Sequence, residues 1–404
     1  MRRRYGAGNK QLRWLAVGGL LAVVGCQADE TISEAQRELL ETLGPLDAPP
    51  PSRSNAVADD PNAVELGAWL FFDDNLSMDG AGVSCASCHQ PALGWGDDRQ
   101  YSINANDSSS ARHAQPLTNV GQQEFFFWAG RADSLWAQAF KVLLGGPHSI
   151  DKQAAVIYLR NSADYPGLYE PVFGPIPDIE ALLADPEVSS EEIDLVLDEV
   201  LINCAKAMEA FQRRITSTNS ALDRWIEGEE DALTEQQKRG AALFVGKGGC
   251  IECHSGPNLS DGWFHNVGLA PGTDGVTAEA GLVSIVEDEE LNSAGPWSDD
   301  PEWGAQKVAA LSQRIASAGD SLVGAHKTPT LRDVNLRTRF GHNGDVQSLT
   351  TWIRRYSTAQ VDSGAVGTPD PAYVARNLSD ADIADLVAFM DALTGSPSSA
   401  EVDI

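Results

Sequence analysis

Basic residues are scarce in this chain. Twenty-nine Lys and Arg stand against fifty-eight Asp and Glu, a formal net charge of −29 over 404 residues. That balance repels phosphate and excludes nucleic acid as a partner. Long apolar runs are nearly missing too. Trp14 to Gly25 is the one such stretch, and it is too short for a comfortable membrane span. No convincing strand alternation and no short-period repeat can be read, so a sheet protein and a solenoid are both disfavoured.

Cysteine is also sparse, and its use is specific. Of six cysteines, four fall in Cys85-Ala-Ser-Cys88-His89 and Cys250-Ile-Glu-Cys253-His254. In each Cys-x-x-Cys-His, two thiols can form thioethers to the vinyl groups of one haem and the histidine can reach its iron. A zinc reading would need four ligands per site, which neither motif brings. Two covalently bound c-type haems are therefore expected. Cys26 and Cys204 are left over, so no structural disulfide is expected. Cys204 shares a helical face with Val200, Met208 and Phe211 and reads as a buried, inert thiol.

The N-terminus has the build of an export signal. Arg2, Arg3, Arg4, Lys10 and Arg13 precede the apolar stretch, which closes on Val23-Val24-Gly25-Cys26. That ending resembles a bacterial lipoprotein box. A periplasmic protein held by lipid on Cys26 is expected, with ordinary secretion as the alternative. Residues 27–60, with Pro49-Pro50-Pro51, read as a flexible tether.

The rest reads as mainly α: two cytochrome c-like haem domains with long loops, an N-terminal one over 61–230 and a C-terminal one over 231–404. Asp60-Pro61 is a helix start. Ile193, Val196, Val200, Cys204, Met208, Phe211 and Ile215 form an apolar stripe at helical spacing. Thr234 with Gln237 makes a capping box, and Ser379 caps a last helix whose Ile383, Leu386, Val387, Met390 and Leu393 point inward. Acidic runs at Asp178–Asp198 and Glu287–Glu302 read as solvated faces, or as steering surfaces for a basic redox partner.

From about Asp60 to Gly395 the chain resembles the bacterial dihaem cytochrome c peroxidase and MauG family. The resemblance is carried by Leu70-Phe-Phe-Asp-Asp-Asn-Leu-Ser77, the loop His89 to Asp98, Trp128-Ala-Gly-Arg131, Phe264-His265-Asn266, Lys327-Thr-Pro-Thr-Leu-Arg332 and His342-Asn-Gly344. It implies hydrogen peroxide cleavage at the N-terminal haem and an electron-transfer C-terminal haem, with an electron-donor cytochrome or other redox protein as partner. It also implies that Trp128 carries electrons between the haems.

The departures are informative. Typical members cap the peroxidatic iron with a histidine sixteen residues past the first haem histidine, and here that position is Ala105. The first iron is therefore expected to be open. Their catalytic glutamate lies twenty residues past the bridging tryptophan. That position is His148, whose neutral imidazole can take and return a proton. A gapped match reaches Gln153 instead, and an amide cannot do this work. Fourteen residues past His342, where typical members have a methionine ligand, stands Tyr356. MauG-type enzymes carry an axial tyrosine there, which stabilises oxidised iron. Gly246-Lys247-Gly248-Gly249 lacks the aromatic that MauG uses to reach a protein substrate. Arg112-His113 replaces the family's calcium-binding Arg-Asn, so calcium stays open but unsupported.

Two other functions stay open: a dihaem electron-transfer cytochrome without peroxide turnover, and a MauG-type oxidase of a partner protein. A pure carrier usually keeps both irons six-coordinate, so an open first iron separates chemistry from transport.

Overall fold

The computed structural model describes residues 31–397; the export segment read at 1–26 lies outside them. Among the described residues there are thirteen α-helices: α1 Glu34–Glu41, α2 Pro61–Phe72, α3 Leu135–Leu144, α4 Lys152–Asn161, α5 Tyr165–Phe173, α6 Ile179–Ala184, α7 Ser190–Gln212, α8 Ala221–Ile226, α9 Glu235–Val245, α10 Ala278–Glu287, α11 Pro301–Ala318, α12 Leu349–Thr358 and α13 Asp380–Asp391. Among the described residues, paired strands are confined to two antiparallel two-residue ribbons, beside isolated bridges such as Gln90 with Gly96. Ser217–Thr218 (β1) pairs with Ser396–Pro397 (β4), and Phe264–His265 (β2) pairs with His326–Lys327 (β3). The fold is mainly α, as expected. Pairs this short carry no alternation to read.

Helix starts follow the local chemistry. Asp60 accepts from Asn62 N–H with Pro61 at the first helical position. Thr234 and Gln237 satisfy each other's backbone N–H groups at the start of α9, as do Ser379 and Asp382 at α13.

Apolar side chains gather in three clusters. The first joins α2, α3, α4, α5 and α7 through Leu66, Phe71, Trp136, Phe140, Val200, Met208 and Phe211. Cys204 is buried there, and burial raises its thiol pKa to about 12, as an inert residue requires. Gly67 lets α2 rest on α7, because a Cβ there would run into the carbonyl of Ala207. Truncating a buried leucine such as Leu66 would cost about 2–5 kcal/mol. The second cluster joins α9 and α13 through Phe244, Leu386, Phe389 and Met390 and also takes Leu222 and Trp225. Packing therefore changes hands between Ile215 and Leu222, earlier than a boundary at 230. A third, smaller cluster places α10 and α11 around Phe125 and Phe264.

Residues 31–60 do not form the flexible tether expected for 27–60. Leu40 and Leu43 are fully buried in the second cluster, and the Arg37 guanidinium stacks on Trp225 at 4.3 Å. Proline-rich composition suggested a linker, but the apolar face of α1 overrides it. The acidic run 287–302 is likewise less free than it reads. Asp288 pairs with Lys141 at 2.8 Å and Asp299 with Lys206 at 2.7 Å.

Candidate active site

Both Cys-x-x-Cys-His motifs fold into the same turn. His89 N–H donates to Cys85 O at 3.0 Å, and His254 N–H donates to Cys250 O at 2.9 Å. Each turn brings two thiols and an imidazole to the wall of its own cavity.

The two histidines are aimed in the same way. His89 Nδ1 donates to Trp95 O at 3.0 Å, and His254 Nδ1 donates to Leu259 O at 3.0 Å. This leaves each Nε2 free for a metal. Trp95 and Leu259 both take left-handed backbone, with φ of 59° and 51°. That conformation is costly for such residues and turns each carbonyl back towards its histidine. Burial lowers both imidazole pKa values, that of His254 to about 4, so both rings are neutral as ligation requires.

These residues fit a c-type haem better than a thiolate metal. Burial raises the Cys85, Cys250 and Cys253 thiols to about 12, which disfavours the thiolates that zinc needs. Among the described residues no group of three His, Cys, Asp or Glu is arranged to hold a metal. Bound haem would supply redox-active iron at each Nε2.

The first cavity is lined by Phe71, Cys85, Cys88, His89, Met208 and one face of α3. His148 is buried in its wall. Its Nδ1 donates to Leu76 O at 3.0 Å, so Nε2 is the acceptor and lies 3.8 Å from Cys85 Sγ. A haem attached through that sulfur would have His148 beside it. Gln153 is exposed on α4 and does not line the cavity, so its gapped match brings no amide to the site. Ala105 N–H donates to Pro147 O at 2.9 Å, and Ala105 offers no ligand.

Sequence reasoning missed Gln138. Leu135, Gln138, Ala139 and Val142 share the α3 face that lines the cavity. The signal was present: one amide on an otherwise apolar stripe at helical spacing.

The second cavity is lined by Cys250, Cys253, His254, His326, His342 and a stripe of α12: Leu349, Trp352, Ile353 and Tyr356. Tyr356 ends that stripe, 5.4 Å ring to ring from Tyr373, and burial raises its phenol pKa. Met390, read as core, is buried in the second cluster and also lines this cavity.

Trp128 lines both cavities. Its indole N–H donates to His113 O at 2.8 Å, and its carbonyl accepts from Lys327 N–H at 2.9 Å. Its ring lies 6.3 Å from that of His342, which stacks on His326 at 3.5 Å. Gly281 lets α10 press on the same loop, since a Cβ there would strike Ala129 O.

Known proteins share the sequence pattern and the fold. The family model described as di-haem cytochrome c peroxidase matches residues 61–231. Cytochrome-c peroxidase IdrP1 of Denitromonas iodatirespirans is 32% identical over 356 residues, covering 87% of this chain and 86% of that protein. The chain belongs to the dihaem cytochrome c peroxidase/MauG family. It is an enzyme, a peroxidase-like haem oxidoreductase. Methylamine utilization protein MauG of Methylorubrum extorquens is 29% identical, with 96% of this chain and 95% of that one covered. A MauG-like protein associated with microbial copper homeostasis superposes with a TM-score of 0.61 at 25% identity, over 88% of this chain and 97% of that one. The diheme peroxidase BthA of Burkholderia thailandensis shares the fold, with a TM-score of 0.60 at 19% identity, over 88% of this chain and 90% of that one.

At the place that the family resemblance assigns to calcium, His113 Nδ1 donates to Arg99 O at 2.9 Å and lies 3.6 Å from Asp97 Oδ1.

Proposed function

We propose that this dihaem enzyme cleaves hydrogen peroxide at the first cavity and stores an oxidising equivalent at the second, with Trp128 as the route between them. The observation that carries the reading is that one buried indole stands in the walls of both cavities. Both haems are held covalently, through Cys85 and Cys88 and through Cys250 and Cys253, with His89 and His254 as proximal ligands. Tyr356 is the distal ligand of the second iron; its place at the end of the α12 stripe supports this.

In the first cavity His148 is the acid–base group. Its tautomer is fixed by Leu76 O, so Nε2 can accept a proton and return it. Phe71, Leu135 and Ala139 keep water from the pocket, and Gln138 offers an amide to a bound oxygen species.

The electron source in this reading is a cytochrome or other redox protein, met outside the cytoplasm with lipid on Cys26 as the anchor. The acidic surface of the chain supports a basic partner.

Mass spectrometry under denaturing conditions tests the cofactor claim. Two covalent haem additions are expected; one, or none, would refute it.

A further inference from the structure

Seventeen arginines lie among the described residues, and thirteen of them form ion pairs with Asp or Glu. The other four are Arg99, Arg131, Arg337 and Arg339. Arg131 lines the first cavity, Arg337 and Arg339 line the second, and the charge of Arg99 acts on Cys88. Acids outnumber bases two to one in this chain, so carboxylates are not in short supply. Three of the four stand at the cavities without a carboxylate ion pair.

Arg337 is the most demanding case. Its Nη1 and Nη2 donate to the carbonyls of Thr330 and Arg332 at 3.1 and 2.9 Å, and its enclosed Nε has no partner. The charge of the nearby Asp333 carboxylate bears on Arg337, but that group hydrogen-bonds Ser217 Oγ at 2.7 Å and Gly395 N–H at 3.1 Å rather than the guanidinium. Arg339 likewise donates to carbonyls, those of Asp98 and Gly344, at 2.7 and 2.8 Å. His326, only 8% exposed, faces the same cavity with Nε2 unpartnered. Arg376 also lines this cavity but is committed to Glu252 at 2.6 Å.

Neither the Arg337 nor the Arg339 guanidinium is ion-paired in the cavity wall, and a seated molecule that brings negative charge would complement both. A haem does so. Its vinyl edge would be held by Cys250 and Cys253, and its two propionate carboxylates sit on the other edge. We infer that Arg337 and Arg339, with His326 beside them, are the carboxylate-binding set of the second cavity and receive the propionates of its haem. The inference rests on the proposed two-haem reading. Two fixed positive charges near that iron favour its reduced form and set its potential.

The test is redox titration of the full-length haem-loaded protein, followed by visible spectra, for the wild type, Arg337→Gln, Arg337→Lys and Arg339→Gln. Haem content is measured separately. Each Gln variant should keep two haems and shift one of the two reduction equilibria at least tenfold towards ferric, about 59 mV downward for one electron. The other equilibrium should stay in place, and Arg337→Lys should restore most of the shift. Should Arg337→Gln fail to load haem, Arg339→Gln still reports on the same site. Two haems with unmoved potentials, and only a lower melting temperature, would overturn this inference alone. A wild type without two haems would overturn the proposed function as well.

Discussion

The indole N–H of Trp128 donates to the backbone carbonyl of His113 at 2.8 Å, and both residues stand in the wall shared by the two cavities. The bond fixes the ring's tilt, and the backbone bond from Lys327 fixes its depth. Trp128→Phe keeps an aromatic ring but loses the donor and the easily oxidised indole. Both haems should remain bound. Mössbauer spectra of the wild type after peroxide addition should change at both iron sites, and in the variant the change at the second should lag. Equal rates would remove Trp128 from the route.

His148 gives a prediction with a sign in pH. Burial lowers its pKa below the ordinary 6.5, with the Leu76 carbonyl partly opposing that shift. The ring is thus neutral at pH 7, and it loses its basic function only as pH falls below about 6.5. His148→Ala should slow peroxide cleavage by about a hundredfold and abolish that acid limb. Gln153→Ala should change neither, because the side chain is exposed and away from the cavity.

The turn that brings Cys85, Cys88 and His89, and Cys250, Cys253 and His254, to their cavities was legible in the sequence because the five-residue spacing alone dictates its geometry. Trp128 and Tyr356 were legible only by resemblance, and the structure adds that each lines a cavity. The carbonyls that aim His89 and His254 were not legible. They depend on left-handed backbone at Trp95 and Leu259, residue types that do not advertise it. Residues 31–60 were misread because their composition suggested a linker while two buried leucines decided the packing.

Tyr356 and Met390 both line the second cavity, so the distal ligand can be decided by substitution. Tyr356→Phe should alter the visible spectrum of one haem and make its iron easier to reduce. Met390→Leu should cost stability but leave the spectrum in place. The opposite pattern would make Met390 the ligand.

His265 links pH to stability. Burial works against its charged form, but hydrogen bonds to Asp261 and Asp370, both 2.7 Å, outweigh it and raise its pKa to about 9. A raised pKa stabilises the fold fully below the unfolded value of about 6.5, and the gain is lost as pH rises through about 9. Denaturant melts across pH 6 to 10 should show this decline, and Asp370→Asn should flatten it. A decline that persists unchanged in the variant would assign it to another group.

The most direct test is stopped-flow mixing of the fully oxidised protein with hydrogen peroxide, with no reductant present. Ala105 stands where typical members carry a capping histidine, so the first iron should be open to peroxide. The account predicts a spectral change within the first turnover, with a rate that rises with peroxide concentration. No change until the protein has been half-reduced would contradict it.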